Sequence, residues 1–213
     1  MYNLLKMNER IGALGTLKLW MQKEPQARAR LEKFSTEQLF MIHGNLNRHS
    51  ISSWYRTWKE KHHKEYSAGS FVVADVQREK RIIQIHFFPF NISEKSIDPI
   101  AIMEAMRLGL SDAERMFDIV ETLHRTYGIN EIFVQAKKEM ALVAAEFGFD
   151  VRNHKINNYN NILTIHDIPN FLAIARKRLE QMKIRDEVKL DRHGITEKSA
   201  RINAILRFLG KLH

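Results

Sequence analysis

Apolar side chains recur at helical spacing through much of the first 66 residues, which predicts a helical N-terminal region. Pro25 ends or restarts the first helix, because proline removes a backbone donor from a helix interior. Ser35 and Gln38 have the spacing of a capping box, so a second helix is predicted to begin there. After a break at 44–50, mixed aromatic and basic side chains over 51–66 predict a third helix.

The pattern changes to that of a sheet after residue 70. Runs of β-branched and aromatic residues at 71–76 and 81–88 are separated by the polar segment 77–80, which predicts an antiparallel hairpin. An asparagine-rich turn at 157–161 joins the last two strands into a second hairpin. The remaining strands are predicted at 131–135, 149–154 and 162–166.

Helices alternate with these strands. The segment Ser96-Ile97-Asp98-Pro99 is predicted to open a helix that runs through about Leu108, and Gly109 breaks it. Ser111 and Glu114 have the spacing of a second capping box, so another helix begins there and ends at Gly128. Further helices are predicted at about 137–147, 169–185 and 196–209.

The order of elements from Phe71 to His166 is hairpin, helix, strand, helix and hairpin, and it resembles the GNAT (acyl-CoA N-acyltransferase) fold. The closest local match is GINEIFVQAKKEMALVAAEFGFDV, Gly128 to Val151, which places Gly148-Phe149 where the second motif of that family usually ends. The resemblance implies an α/β (α+β) fold with a mixed, mainly antiparallel sheet flanked by helices. It divides the chain into a GNAT-like domain at 1–167, which includes the helical N-terminal region, and a basic helical C-terminal extension at 168–213.

The resemblance also implies a carrier site for acetyl-CoA or another acyl-CoA. In the family, consecutive backbone N–H groups at a helix start hold the pyrophosphate. The corresponding backbone groups here belong to Leu110, Ser111, Asp112 and Ala113. The family pattern Arg/Gln-x-x-Gly-x-Gly/Ala is degenerate over 107–113, which has one glycine and carries an aspartate near the anion. Alternatively, Ser111 is a plain helix cap.

The acylation chemistry implied by the resemblance needs a base for the acceptor ammonium. His86, on the strand before the predicted loop, is the titratable residue best placed for this catalytic role. The alternative is a histidine on the outer face of the strand. Glu94 and Asp98 are further loop candidates. The tyrosine that the family often uses as general acid is replaced by Ala144.

The net charge of +9 is concentrated near the C-terminus. Residues 168–213 contain eleven Lys/Arg against five Asp/Glu, a net of +6. Such a charge favours polyanionic partners, namely nucleic acid or an acidic protein bound through the C-terminal helices. The alternative is a well-solvated helical face. If the tail binds polyanions, replacing Arg176, Lys177 and Arg178 by alanine flattens the salt dependence of binding.

Two groups of apolar side chains are expected to be buried against another part of the chain or against a partner. Trp54 and Trp58, amid basic side chains, either stack on nucleic acid or pack in the core. A stripe near the C-terminus either docks on the core, pairs with another copy as a homo-oligomer or binds a partner. The stripe comprises Ile195, Ile202, Ile205, Leu206 and Leu209.

Several classes of function lack sequence support. The absence of cysteine removes thiol catalysis, disulfides and cysteine-zinc sites. His62 and His63 are adjacent rather than four apart, so no metal site is predicted. No signal peptide or membrane span is visible, so we expect a soluble, cytoplasmic protein without membrane contact.

Two hypotheses therefore arise from the sequence. The first is a divergent GNAT-like N-acyltransferase with an unknown acceptor. The second is a non-catalytic protein with a GNAT-like fold, of the kind that suits an accessory protein of a phage or mobile element. It binds nucleic acid or a protein assembly through its basic helices.

Overall fold

The computed structural model describes residues 24–50, 65–67, 72–87, 98–136, 138–151 and 161–210. Within these ranges the helices are α1 (Glu24–Leu31), α2 (Thr36–Ser50), α3 (Pro99–Tyr127), α4 (Lys138–Glu146), α5 (Ile168–Arg192) and α6 (Glu197–Gly210). The strands are β1 (Glu65–Ser67), β2 (Val72–Gln77), β3 (Ile82–Phe87), β4 (Glu131–Ala136), β5 (Asp150–Val151) and β6 (Asn161–Ile165).

The strands form one mixed sheet in the order β1-β2-β3-β4-β6-β5. Strands β3 and β4 are parallel, and α3 makes the long crossover between them that a parallel pair requires. The other neighbouring strands are antiparallel. The predicted class, a mixed and mainly antiparallel sheet flanked by helices, is confirmed.

Both predicted hairpins are confirmed where the structure describes them. Strands β2 and β3 pair in antiparallel register from Val72–Phe87 to Gln77–Ile82, and β5 pairs with β6. The third predicted helix is wrong at its end, because Glu65 and Tyr66 belong to strand β1 and pair with β2. Trp54, Trp58 and the rest of that predicted helix lie outside the described residues.

Helix α3 corrects the predicted interruption at Gly109. It runs unbroken for 29 residues, from Pro99 to Tyr127, so Gly109 lies in its interior. The residues on the two sides of the glycine are both buried, Leu108 in the cluster with Leu190 and Leu110 in the main core. Packing on both sides of Gly109 therefore outweighs the lower helix propensity of glycine.

Two further helices are longer than predicted. Helix α2 continues through the expected break at 44–50, and α5 continues through Asp186 to Arg192 instead of ending at Arg185. Leu190 is buried in one apolar cluster with Leu108 of α3, which explains why the segment after Arg185 remains helical and packed. In the described ranges, no helix has the length and apolar character needed to cross a membrane.

The two C-terminal helices belong to the packed body of the protein. Ile168, Phe171 and Leu179 of α5 join the main core between the sheet and helices α3 and α4. Helix α6 packs on two sides, with Ile202 and Ile205 against α1 and α2, and Ala200 and Ala204 in a cluster with residues of α3 and α5. Ile195, which precedes α6, is buried in this second cluster. The stripe therefore docks on the core, as one of the three alternatives predicted.

Candidate functional site

The four residues predicted to hold a carrier pyrophosphate lie inside α3. Leu110, Ser111, Asp112 and Ala113 are more than two turns from the start of this continuous helix. Their N–H groups therefore take part in the helical ladder and are not the free donors of a helix start. The predicted helix start at Ser111 is wrong, and the backbone anion site that depended on it is not formed there.

The observed start of α3 is capped by an acid. Asp98 is the N-cap, and its Oδ1 accepts a hydrogen bond from Ile100 N at 3.0 Å. Pro99 has no N–H to offer. This helix start therefore presents a carboxylate to an approaching anion, together with fewer free donors than usual. The prediction that Asp98 and Pro99 open a helix is confirmed, but the local charge is unfavourable for a pyrophosphate.

His86 lies at the end of β3, where its backbone pairs with that of Val73. Strand β3 is described to Phe87 and pairs with the parallel strand β4 from Ile82 to Ile85. The side chain of His86 is outside the described residues, as is Glu94, so a role as base stays a prediction. Ala144 is a buried residue of the core, and its side chain offers no acid for a leaving thiolate.

The most unusual polar feature is a buried charge cluster where α6 crosses α3. Arg201 donates to Asp112 Oδ1 at 2.6 Å, and both side chains are fully buried. Arg201 Nε also donates to Glu197 Oε1 at 3.0 Å, and its guanidinium lies 5.0 Å from the Phe40 ring centre. Because neither Arg201 nor Asp112 is exposed, the pair holds helices together and is not a catalytic centre open to substrate.

His43 of α2 completes this cluster in its neutral form. Burial, followed by the positive charge of Arg201, lowers the pKa of His43 from 6.5 to about 3. Arg201 Nη1 lies 3.3 Å from His43 Nδ1, and since the guanidinium can only donate, Nδ1 accepts and the ring proton is on Nε2. The cluster therefore contains a histidine that stays uncharged at neutral pH.

Glu197 connects the cluster to the molecular surface. Burial raises the pKa of Glu197, but hydrogen bonds from Arg201 and Ser111 and the charges of Arg201 and Arg115 outweigh it and lower the pKa overall. Arg115 Nη2 donates to the same oxygen, Glu197 Oε1, at 3.3 Å. Ser111 thus binds a side chain of α6 and does not cap a helix.

Several basic residues of the C-terminal extension are compensated inside the molecule. Arg176 of α5 donates to Asp118 and Glu121 of α3 at 2.8 and 2.7 Å, and Lys183 donates to Glu114 at 2.6 Å. These ion pairs tie α5 to α3. These two cations are therefore compensated within the molecule and are less available to a partner.

Helix α6 uses its cations in the same way. Arg207 and Asn203 donate to the carboxylate of Glu104, which is buried on α3. Lys198 Nζ donates to the backbone oxygen of Glu32 at 2.7 Å. Together with Arg201, these contacts make α6 a docked helix whose positive charges face acceptors of its own chain.

One flank of α5 keeps its positive charge exposed. The basic flank comprises Arg178, Arg185, Lys189 and Arg192, and all four are exposed. Arg185 also pairs with Asp186 at 3.3 Å, but its side chain remains 68% exposed. Their spacing of seven, four and three residues places them within an arc of about 60° on a helix of 3.6 residues per turn. Glu180 and Asp191 lie about 100° or more around the helix from every member. Within the described ranges, the basic flank is the part of the extension best suited to meet a polyanion.

The residues that sequence reasoning missed are those of the buried cluster. Asp112 and Arg201 are separated by 89 positions, and no local pattern links them.

In the described ranges, no group of three or more acidic or histidine side chains could hold a metal ion. No protein-family model matches the chain, and neither a curated protein nor a solved structure matches it significantly.

Proposed function

We propose that the chain is a non-catalytic protein with a GNAT-like core that binds nucleic acid through the basic flank of α5. The observation that carries this proposal is the exposed line of Arg178, Arg185, Lys189 and Arg192 on a single face of one long helix. Four cations in line on a rigid helix suit a partner with regularly spaced negative charges.

The dimensions of the basic flank favour a duplex as that partner. Residues 178 and 192 are 14 positions apart, which corresponds to about 21 Å along a helix. A duplex carries one phosphate charge per ~1.7 Å of its axis when both strands are counted, so a segment of this length carries about twelve charges, of which part face the helix. The flank contacts phosphates without reading bases, and binding is therefore independent of sequence and sensitive to salt.

The GNAT-like core is supported by the order of elements. Hairpin β2–β3 is followed by α3, β4, α4 and the pairing of β5 with β6, which is the order on which the resemblance depends. The lack of catalysis is supported by the acidic start of α3 at Asp98 and by the helical backbone at Ser111. Both features leave an acyl carrier without its usual donors.

The test is fluorescence anisotropy of a labelled 24-base-pair duplex in a salt series. The variant replaces Arg178, Lys189 and Arg192 by glutamine. Arg185 is kept, because its Nε donates to Asp186. If each lost phosphate contact lowers the slope of log affinity against log salt by about 0.9, the variant loses roughly 2.7 units of slope. We also expect its affinity at low salt to fall more than ten-fold.

The matched control removes three other exposed cations, Lys33, Lys80 and Lys138, on elements remote in sequence from α5. It changes the net charge equally, so it separates a contact surface from general attraction. The control is expected to keep most of the salt slope. An equal loss in both variants, or no saturable binding by the wild type, would contradict the proposal.

The second candidate is acyl transfer from acyl-CoA, favoured by one observation. Helix α3 follows β3 directly in the order of elements and returns the chain to the parallel strand β4, as the helix after the carrier loop does in the resemblance. Isothermal titration with acetyl-CoA and with CoA distinguishes the two functions. The non-catalytic proposal expects no binding at millimolar carrier. Micromolar binding would favour an acyltransferase and prompt a search for the acceptor, beginning with the pH dependence of a His86→Gln variant.

A further inference from the structure

A small cavity lies between helices α3 and α5, and Phe147, which follows α4, forms part of its wall. Its volume is about 250 Å³, and its walls are apolar, with Met106, Leu110, Phe147 and Met182 among them. Met106 is 43% exposed, so the cavity is reached from solvent at that edge. This volume corresponds to the share of about eight water molecules in the liquid, which suits a ligand of about nine non-hydrogen atoms.

The polar side chain in this apolar wall is Asp186. It is only 4% exposed. Its Oδ1 accepts a hydrogen bond from Arg185 Nε at 3.3 Å, whereas Oδ2 has no donor within reach in the described part of the chain. A buried carboxylate oxygen without a donor is costly, because it has lost its hydration without replacement. A residue that lines the cavity thus has one negatively charged oxygen without a donor in the described part of the chain.

Gly109 leaves the cavity open on the α3 side. It occupies the interior of a continuous helix, where alanine is more favourable than glycine. A Cβ atom at this position would meet nothing within 4 Å, so close packing does not require glycine. Its backbone is helical, and no positive φ requires it either. The effect of glycine here is to leave space beside Leu110 and Met182.

We propose that this cavity binds a small organic ammonium ion. The ammonium group donates to Asp186 Oδ2, and a hydrocarbon body of about eight carbons packs against the apolar walls. A charge-assisted hydrogen bond to a buried carboxylate is stronger than a neutral one, so a cation is bound better than an alcohol of the same shape. An anion is excluded by Asp186. Arg185 of the basic flank donates to Oδ1 of the same carboxylate, whereas the proposed ligand binds Oδ2, and this binding does not depend on nucleic acid.

The probe is 2-phenylethylammonium, compared with 2-phenylethanol and phenylacetate in ligand-observed NMR titrations. The wild-type protein is expected to bind the ammonium ion saturably, with one site, a millimolar or lower Kd and at least ten-fold preference over the alcohol. The net charge of +9 repels the probe at long range, so saturable binding reports a local site. Equal binding of the alcohol and the ammonium ion, or no saturation, overturns the proposal.

Three variants locate the site. Asp186→Asn removes the carboxylate and is expected to weaken ammonium binding at least ten-fold, with little change for the alcohol. Gly109→Leu fills the cavity and is expected to abolish binding of both. Asp191→Asn removes an exposed acid from the same helix and is expected to change nothing. Thermal unfolding checks that each variant is folded. If Asp186→Asn does not fold, the Gly109→Leu result decides, and full binding by that variant overturns the proposal.

Discussion

Arg201 of α6 and Asp112 of α3 form an ion pair of 2.6 Å between two fully buried side chains. Burying both charges is costly, and the cost is offset by direct contact and by the further hydrogen bond from Arg201 to Glu197. The two residues therefore act as a unit. The stability of α6 on the core depends on both partners being present.

The first prediction is strong energetic coupling in this pair. Arg201→Met or Asp112→Leu alone leaves a buried charge without its partner and is expected to cost about 3–5 kcal/mol. The double variant removes both charges and is expected to cost much less than the sum of the single variants. Urea unfolding of the wild type, both single variants and the double variant measures this. Additive costs would contradict the pairing.

The second prediction is that the folded protein loses stability as the pH is lowered, because His43 is buried in its neutral form. The unfolded chain protonates His43 near pH 6.5, whereas the folded chain does so only near pH 3. Between these values the unfolded state holds the extra proton, so stability falls as the pH is lowered through this window. Well inside this window, the titration of His43 lowers the free energy of unfolding by about 1.4 kcal/mol for each unit by which the pH is lowered. This part of the pH dependence should be absent in a His43→Gln variant.

The pH range for this measurement is set by Glu197. Its pKa lies below the ordinary value of 4.5, so its contribution to stability is lost only as the pH falls below that value. Between pH 5 and 6.5, the difference in urea unfolding between the wild type and the His43→Gln variant therefore reports the titration of His43. The same pH dependence in the wild type and the variant would show that His43 titrates normally in the folded protein.

Local signals predicted some helix starts and failed at others. Ser35 N and Gln38 Oε1 are hydrogen-bonded at 2.8 Å, and Gln38 N bonds to Ser35 Oγ at 3.3 Å, so that capping box is confirmed. The same spacing at Ser111 and Glu114 marks no helix start. The difference is that Leu108 and Leu110, on the two sides of Gly109, are both buried, so the helix continues through this position.

The functional features were less visible in the sequence. The positive charge of the extension was predicted, but only the structure separates Arg176, paired with Asp118, from Arg178, exposed on the basic flank. Such pairings join elements far apart in the chain. The long-range contacts that determine which charges are free have no local signature in a single sequence.

The third prediction contrasts two glycines of one helix. Gly109→Ala is expected to raise stability by up to about 1 kcal/mol, because the position is helical and a Cβ would meet no atom within 4 Å. Gly128→Ala is expected to lower stability by about 1 kcal/mol or more, because the residue ends α3 with φ of 61°. Thermal unfolding of both variants measures the opposite signs. A destabilising Gly109→Ala would show that the space beside α3 is smaller than described.

The last prediction concerns the start of α6. Thr196 Oγ1 accepts a hydrogen bond from Ser199 N at 3.1 Å, and Ser199 Oγ accepts one from Thr196 N at 2.9 Å. Thr196→Val keeps the shape but removes the cap, and is expected to cost about 1 kcal/mol and to speed amide exchange in the first turn of α6. Thr122→Val is the matched control, since that hydroxyl donates only to the Asp118 carbonyl within α3. Because α6 covers two core clusters, loss of its cap should also weaken the contacts of Arg201, whereas the control should leave them intact. Equal effects of the two substitutions would show that the cap contributes nothing to the docking of α6.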